Sequence, residues 1–208
     1  MENLQKFYIN GEWVTPQSKN TMPVMNPATE EQIGIVAMGN TDDVNLAVSA
    51  ANAAFETFSQ TSKEERLKLL LKSQEVTKNR FEDLVQAMSL EMGAPMTMAR
   101  DAQADAAIGH LDGFIEALKK LEDYVTLPNG DILCKEPIGV CGLITPWNWP
   151  INQITLKVLP AIATGCTSIL KPSEHTPLSA VVYTEILHEA GVPPGVFNLV
   201  QGNGENVG

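Results

Sequence analysis

The chain has 208 residues, of which 44% are hydrophobic and 19% are charged, and its formal net charge is −11. This length and hydrophobic content can bury the core of one domain or slightly more, and the modest charged fraction excludes a disordered chain. The acidity disfavours nonspecific binding to nucleic acid or to anionic lipid. No apolar run approaches the roughly 20 residues of a membrane span, and the first residues carry no signal-peptide pattern. We therefore expect a cytoplasmic protein that binds neither nucleic acid nor membrane.

The cysteines and histidines show no pattern of a metal or disulfide site. Cys134, Cys141 and Cys166 form no CxxC pair, and the three histidines do not stand at metal-ligand spacing. An odd number of cysteines in a chain of this size is typical of reduced thiols. We expect three structural cysteines and no metal.

The amino-terminal segment predicts a hairpin, a strand and then helices. Asn10-Gly11 between apolar residues predicts a type I′ turn within Phe7–Trp13. A turn at Asn26–Thr29 leads into a strand near residues 33–37. Thr41 is expected to cap the first helix, with Asp42 and Asp43 at its positive end.

Three more helices are predicted before residue 123. Ser62 and Glu65 form a capping box, a third helix ends at Gly93, and a fourth runs from Pro95 to about Glu122. The spacing of apolar residues predicts these inward-facing side chains: Val44, Val48, Ala51, Phe55, Phe58, Leu67, Leu70, Leu71, Leu111, Ile115 and Leu118. An extended excursion with a turn at Pro128–Gly130 follows over Tyr124–Lys135.

From Ile138 onward the pattern becomes strand–helix–strand–helix–strand. The predicted elements are a strand at 138–144 covered on both faces, a buried helix at 151–164 kinked at Pro160, a strand at 167–170, a helix capped by Thr176 with Pro177 at its first position, and a strand at 196–200. This alternation predicts an α/β fold with a doubly wound parallel sheet.

Ligands of such sheets bind beyond the carboxyl ends of the strands, which singles out three loops at 145–150, 171–176 and 201–208. No GxGxxG follows the first of these strands, which disfavours an ordinary Rossmann dehydrogenase. Residues 202–208 (GNGENVG) are glycine-rich, but alone they indicate a flexible turn more strongly than a ligand site.

The other two loops are more specific. EPIGVCGLITPWNWP and ATGCTSILKPSEHTPLSA, together with the INGEW hairpin, the NPATEE turn and GVPPGVFNLVQGNG, resemble the aldehyde dehydrogenase family along essentially the whole chain. The resemblance implies the NAD-binding region of that fold, ending before the catalytic domain. It implies an incomplete NAD-binding domain at 1–123 and 137–208, and an excursion at 124–136 that belongs to an oligomerisation sheet.

The resemblance assigns roles in the first loop. Asn148 matches the asparagine that stabilises the oxyanion, a role that suits a carboxamide because its N–H does not titrate; the alternative is an asparagine that bonds loop backbone. Thr145, Pro146 and Trp147 match residues beside the nicotinamide ribose. Lys157 matches a lysine near the reaction centre, where proton relay and structural ion pairing are equally open.

In the second loop, Lys171, Pro172, Ser173 and Glu174 resemble the clamp on the adenosine ribose. Lys171 would donate to the ribose hydroxyls and Glu174 would accept from them. A carboxylate there repels a 2′-phosphate, so NAD is expected rather than NADP. Gly204 matches a glycine that lets adenine approach the backbone. The alternative for Lys171 and Glu174 is a solvated ion pair.

The implied reaction is oxidation of an aldehyde to a carboxylic acid by a homo-oligomeric enzyme. The nucleophilic cysteine and the general-base glutamate lie further along the family pattern, so we expect this chain alone to be inactive. Two classes of function remain: the cofactor-binding portion of an enzyme, or a naturally short, non-catalytic module that binds NAD or a partner protein.

Overall fold

A five-stranded sheet forms the centre of the computed structural model, which describes residues 2–208. The strands are β1 (Phe7–Ile9), β2 (Glu12–Val14), β3 (Asn20–Asn26), β4 (Glu31–Met38), β5 (Tyr124–Thr126), β6 (Ile132–Cys134), β7 (Val140–Ile144), β8 (Thr167–Lys171) and β9 (Phe197–Leu199). The central sheet has the order β2-β1-β9-β8-β7, while β3 pairs with β4 and β5 pairs with β6 in separate antiparallel ribbons.

Helices cover both faces of this sheet. They are α1 (Thr41–Phe58), α2 (Lys63–Asn79), α3 (Phe81–Met92), α4 (Met96–Met98), α5 (Asp105–Lys120), α6 (Pro150–Ala163) and α7 (Pro177–Glu189), with a 3₁₀ turn at Glu2–Gln5 and a π-helical segment at Ala99–Ala104. Helix α1 packs on one face, and α6 packs on the other beside α7. None of these helices combines the length and apolar composition that a membrane crossing needs.

The two faces of β8 show how the alternation of side chains builds two cores. Ile169 packs with Phe7 of β1 and with Ala51 of α1, on one side of the sheet. Its neighbour Leu170 belongs to the larger core on the opposite side, together with Ile154 of α6. Successive side chains of a strand point to opposite faces, so a strand between two helical layers must be apolar on both.

The α/β fold with a doubly wound sheet is confirmed, and its three sequential strands β7, β8 and β9 are parallel. The sheet as a whole is mixed, because β1 of the hairpin pairs antiparallel with β9 at Tyr8 and Leu199. The hairpin turn at Asn10-Gly11 has the two positive φ angles that the sequence predicts. The predicted fourth helix is interrupted by the π-helical segment.

One predicted helix cap is wrong, and a second lies at the predicted position without its capping bond. Asn40, not Thr41, caps α1. Its side chain accepts from the N–H groups of Asp42 and Asp43, and the Asp43 carboxylate accepts from the backbone N–H of Asn40. The side chain of Thr176 makes no capping bond at the start of α7. In the first case the adjacent residue is the better acceptor, since asparagine is among the strongest N-cap residues.

Two predictions of burial are also wrong. The strand predicted at 138–144 begins at Val140 and lies at the edge of the sheet, with Ile138 88% exposed and Ile144 55% exposed. Within the sheet β7 pairs with β8 alone, so its side chains have neighbours on one side only. Leu71 is 44% exposed because α2 turns Leu70 and Val76 toward the core instead.

Candidate functional site

The loops that follow the three parallel strands begin side by side. Ile144 and Lys171, the last residues of β7 and β8, are paired in register. The N–H of Thr145 donates to the carbonyl of Lys171 at 3.2 Å, and the N–H of Val200 donates to the carbonyl of Leu170 at 3.0 Å. The chain therefore brings all three predicted loops to one edge of the sheet, where ligands of such folds bind.

Lys171 joins two of these loops through its side chain. Its Nζ lies 2.6 Å from the carbonyl oxygen of Gly202, 2.9 Å from that of Pro172 and 3.2 Å from Oε2 of Glu174. The residue is only 7% exposed. An ammonium has three protons to donate, so these three acceptors satisfy it completely. For Lys171 to donate to a ribose hydroxyl, it must release one of them.

Glu174 presents a negative charge at the mouth of this arrangement. Burial raises the pKa of its carboxyl group, but a backbone hydrogen bond and the charge of Lys171 outweigh burial and hold the pKa below its usual value. Lys171 contacts only Oε2. Across residues 2–208, Oε1 accepts no hydrogen bond from another residue's side chain, so an ionised oxygen remains for a ligand.

A cleft of about 460 Å³ opens beside this carboxylate, and we call it the Trp147–Glu174 cleft. It lies between the β3 strand, the end of α3 and the start of α7. Trp147 is 58% exposed at its wall. The lining residues are Met22, Pro23, Val24, Met25, Pro27, Glu91, Met92, Trp147, Glu174, His175 and Thr176. Strand β3, which forms much of the apolar wall, is not among the strands predicted from the sequence.

The residues assigned to the reacting end lie in the loop that joins β7 to α6. Asn148 is exposed, and its amide makes no hydrogen bond within residues 2–208, which is not what a loop-bracing asparagine would show. Trp149 beside it has a left-handed backbone, with φ of 64°. Lys157 is half-buried on α6 and has no ion pair within 4 Å among the described residues.

The remaining predicted residues differ in exposure. Thr145, Pro172 and Ser173 are buried, and the Oγ of Ser173 accepts from the N–H of His175 at 3.3 Å. Pro146 and Gly204 are exposed. A Cβ at Gly204 would meet no atom within 4 Å, so the packing of this chain does not itself require glycine there.

Glu91 is a residue of this region that the sequence analysis missed. It is 4% exposed in the last turn of α3, and its carboxylate accepts from the backbone N–H groups of Leu178 and Ser179. It thereby caps α7 in place of Thr176. A signal was present: an acidic side chain in the last turn of a helix opposes the helix dipole and needs a partner elsewhere.

The same burial changes the titration of Glu91. Removal from water raises the pKa of Glu91 from 4.5 to about 8, although the hydrogen bonds from Ser179 and Leu178 act in the opposite direction. A carboxyl group whose pKa is higher in the folded than in the unfolded chain stabilises the fold fully below the unfolded pKa. That contribution is lost as the pH rises through the folded value.

We therefore expect the melting temperature of the protein to fall between about pH 5 and pH 8, and the Glu91→Gln variant to lack much of this fall. One pKa unit corresponds to about 1.4 kcal/mol, so the loss is on the order of a few kcal/mol. Thermal unfolding of both proteins across this range is the measurement. Parallel curves for the two proteins would contradict the assignment.

Comparison with known proteins agrees with this geometry. The model of the aldehyde dehydrogenase family matches residues 13–208, which is nearly the whole chain. The chain belongs to the aldehyde dehydrogenase family.

Individual members of the aldehyde dehydrogenase family are close in sequence and structure. The 3-succinoylsemialdehyde-pyridine dehydrogenase of a Pseudomonas species is 47% identical over all of this chain and 44% of its own length. A mutant of aldehyde dehydrogenase C from Pseudomonas syringae, solved with NAD+ and octanal, is 49% identical with a TM-score of 0.96, covering 99% of this chain and 42% of that one. An Escherichia coli enzyme described as NADP dependent is 36% identical with a TM-score of 0.90, and the match covers 100% of this chain and 44% of that one.

This chain therefore spans less than half the length of the aldehyde dehydrogenases that it matches. The resemblance seen in its motifs is confirmed at the level of the family. Both cofactors occur among the names of these relatives.

Proposed function

We propose that this chain is the cofactor-binding, amino-terminal portion of a longer enzyme, called the full-length enzyme below, which oxidises an aldehyde to a carboxylic acid with NAD. The observation that carries the proposal is the ion pair between the buried Lys171 and the half-buried Glu174 at the carboxyl end of β8, where Glu174 lines the Trp147–Glu174 cleft. In this proposal residues 1–123 and 137–208 belong to the NAD-binding domain. The β5–β6 ribbon within 124–136 contributes to a homo-oligomer.

The chemistry of the cleft fits the adenosine ribose of NAD. Glu174 is ionised and accepts hydrogen bonds from ribose hydroxyls through Oε1. Lys171 holds the Glu174 carboxylate in place. It donates to the ribose in exchange for its hydrogen bond to the carbonyl oxygen of Pro172, the adjacent residue. Pro172 and Ser173 shape the loop, and Gly204 leaves space above the third loop for adenine.

The loop between β7 and α6 fits the reacting end. Thr145, Pro146 and Trp147 lie beside the nicotinamide ribose, and NAD supplies a hydride acceptor there when bound. The amide of Asn148 has no hydrogen-bond partner within residues 2–208, and it donates to the substrate oxygen as negative charge develops on that oxygen. Lys157, about two turns into α6 from this loop and without an ion pair in residues 2–208, stands near the same centre as a proton carrier.

The first test concerns cofactor choice. Glu174→Gln removes the charge that strengthens the ribose hydrogen bonds and repels a 2′-phosphate, while it keeps the shape of the side chain. We expect the ratio of kcat/KM for NAD to that for NADP to fall by about tenfold or more, because hydrogen bonds to charged groups contribute about 1.5–3 kcal/mol. Steady-state kinetics of the full-length enzyme with both cofactors measure this ratio.

The matched control is Glu189→Gln, which removes the same charge at the other end of α7, where Glu189 pairs with Arg80. This control should leave the cofactor ratio unchanged. Two results would show that Glu174 does not set the preference for NAD over NADP. One is a wild-type enzyme with equal kcat/KM for the two cofactors, and the other is a cofactor ratio that Glu174→Gln leaves unchanged.

The second test concerns the isolated chain. Its thiols stand outside the proposed site: Cys166 is buried, Cys141 lies within β7 and Cys134 lies on the β5–β6 ribbon. Burial raises the pKa of Cys141, which disfavours the thiolate that an attack on an aldehyde requires. We expect no NADH formation from residues 1–208 with NAD and a simple aldehyde. Steady NADH formation that disappears when one of these cysteines is replaced by serine would contradict this expectation.

A further inference from the structure

The carboxylate of Glu91 connects the far end of α3 to the first turn of α7. Its Oε2 lies 2.5 Å from the backbone nitrogen of Leu178 and 3.3 Å from that of Ser179, and its Oε1 lies 3.2 Å from the latter. These are N–H groups that the first turn of a helix cannot satisfy itself. Because Pro177 has no N–H and Thr176 makes no capping bond, Glu91 is the side chain that accepts from these N–H groups. The Gln201 side chain adds a longer contact to the same turn, from Nε2 to the Pro177 carbonyl oxygen at 3.5 Å.

Helices α3 and α7 are joined at both ends by polar side chains of α3 or its cap. At the opposite end, Arg80 contacts Glu185 at 2.9 Å and Glu189 at 2.8 Å, both in the last turns of α7. The Arg80 end is remote from the ligand loops. The Glu91 end directly adjoins them, since Glu174 lies three residues before Pro177 and both Glu91 and Glu174 line the Trp147–Glu174 cleft.

The segment between Lys171 and Pro177 has few other anchors that could set the position of Glu174. The N–H of Thr176 donates to the carbonyl of Ser173 at 3.1 Å, and that of His175 donates to the Oγ of Ser173 at 3.3 Å. Both bonds are internal to the loop. The loop is held from outside by Lys171 at its beginning and by the fixed start of α7 at its end.

We propose that Glu91 is a positioning residue for cofactor binding: by holding the first turn of α7, it holds the Glu174 carboxylate where the adenosine ribose meets it. This inference rests on the proposed function, because it requires the ribose to bind at Glu174. Glu91 itself touches neither ribose nor substrate. Its loss frees the end of the loop and lowers affinity for any ligand that contains the adenosine ribose.

The experiment measures the dissociation constants of NAD and of AMP for the full-length enzyme by titration calorimetry. Glu91→Leu leaves two buried N–H groups without acceptors, and we expect both dissociation constants to rise by about tenfold or more. The kcat at saturating NAD should change by less than about threefold, because no group at the reacting end is altered. The separate variant Glu91→Gln should keep both dissociation constants close to the wild-type values, since an amide oxygen accepts from the same N–H groups.

Two further variants keep the result interpretable. Glu91→Asp retains the carboxylate but withdraws it by one methylene, so it should fold readily and give an intermediate rise. Arg80→Met loosens the other end of the same helix pair, and we expect it to lower the melting temperature without changing the dissociation constant of AMP. This control separates positioning from general loss of stability.

The outcomes are distinct. If Arg80→Met weakens AMP binding as much as Glu91→Leu does, or if neither Glu91→Leu nor Glu91→Asp weakens it, Glu91 does not position the loop. If Glu174→Gln weakens AMP binding while the Glu91 variants do not, this inference is wrong and the proposed function stands. If neither residue affects AMP or NAD, the ribose does not bind at Glu174 and the proposed function itself is wrong.

Discussion

Replacement of Asn148 by alanine in the full-length enzyme is expected to lower kcat by about 100- to 1,000-fold, which is the cost of removing one preorganised oxyanion donor. The amide is exposed at the carboxyl end of β7 and makes no hydrogen bond in residues 2–208, so alanine breaks no internal contact. The melting temperature and the dissociation constant of NAD should therefore change little. Single-turnover kinetics at saturating NAD measure the chemical step directly.

Asn152→Ala is the matched control for this variant. Asn152 lies in the first turn of α6, and among the described residues its side chain hydrogen-bonds only to Gln153, at 3.4 Å. We expect the control to retain kcat within about twofold, as surface substitutions usually cost less than about 0.5 kcal/mol. Equal single-turnover rates for Asn148→Ala and wild type would remove Asn148 from the catalytic machinery.

The Lys171→Met variant is expected to show the largest combined loss of stability and of NAD affinity. Methionine has a similar length but donates no hydrogen bond, so the carbonyls of Pro172 and Gly202 and the Glu174 carboxylate lose their shared donor. Removing one partner of a buried ion pair costs about 3–5 kcal/mol. The side chain of Glu174 is 26% exposed, so water compensates part of this loss and the lower end of the range is expected.

The measurements are chemical denaturation and NAD titration, with Lys72→Met as the control. Lys72 pairs with Glu75 at the same three-residue spacing, but both side chains are largely exposed, and such pairs contribute less than about 1 kcal/mol. Lys171→Met should weaken NAD binding by at least about tenfold, while Lys72→Met leaves it unchanged. If Lys171→Met and Lys72→Met lose similar amounts of stability and of NAD affinity, the Lys171–Glu174 pair is the solvated ion pair that the sequence left as the alternative.

The features that the sequence predicts well are those with local signals. The Asn10-Gly11 hairpin, the Ser62–Glu65 capping box and the stop at Gly93 each depend on residues within four positions of one another. The parallel strands could also be predicted, because β7, β8 and β9 alternate with the two helical segments α6 and α7 along the chain. The motifs around Asn148 and Glu174 identified the family for the same reason, since each lies within one short loop.

The features that the sequence does not predict depend on distant partners. The Gly202 carbonyl is 31 residues from Lys171, and the Leu178 N–H is 87 residues from Glu91. Neither backbone group has a side-chain signal in the sequence. The exposure of Ile144 likewise depends on the position of β7 at the sheet edge, which a local apolar run cannot show.

The most direct test of the proposed site is a crystal structure of the full-length enzyme with NAD bound. We predict that an adenosine ribose hydroxyl lies within hydrogen-bond distance of Glu174, at about 2.5–3.2 Å, with Lys171 still contacting the Glu174 carboxylate. The nicotinamide end should lie along the loop of Thr145, Pro146 and Trp147, with the Asn148 amide facing the substrate. An adenosine ribose bound away from the Trp147–Glu174 cleft, with Glu174 facing only water, would contradict the proposed site.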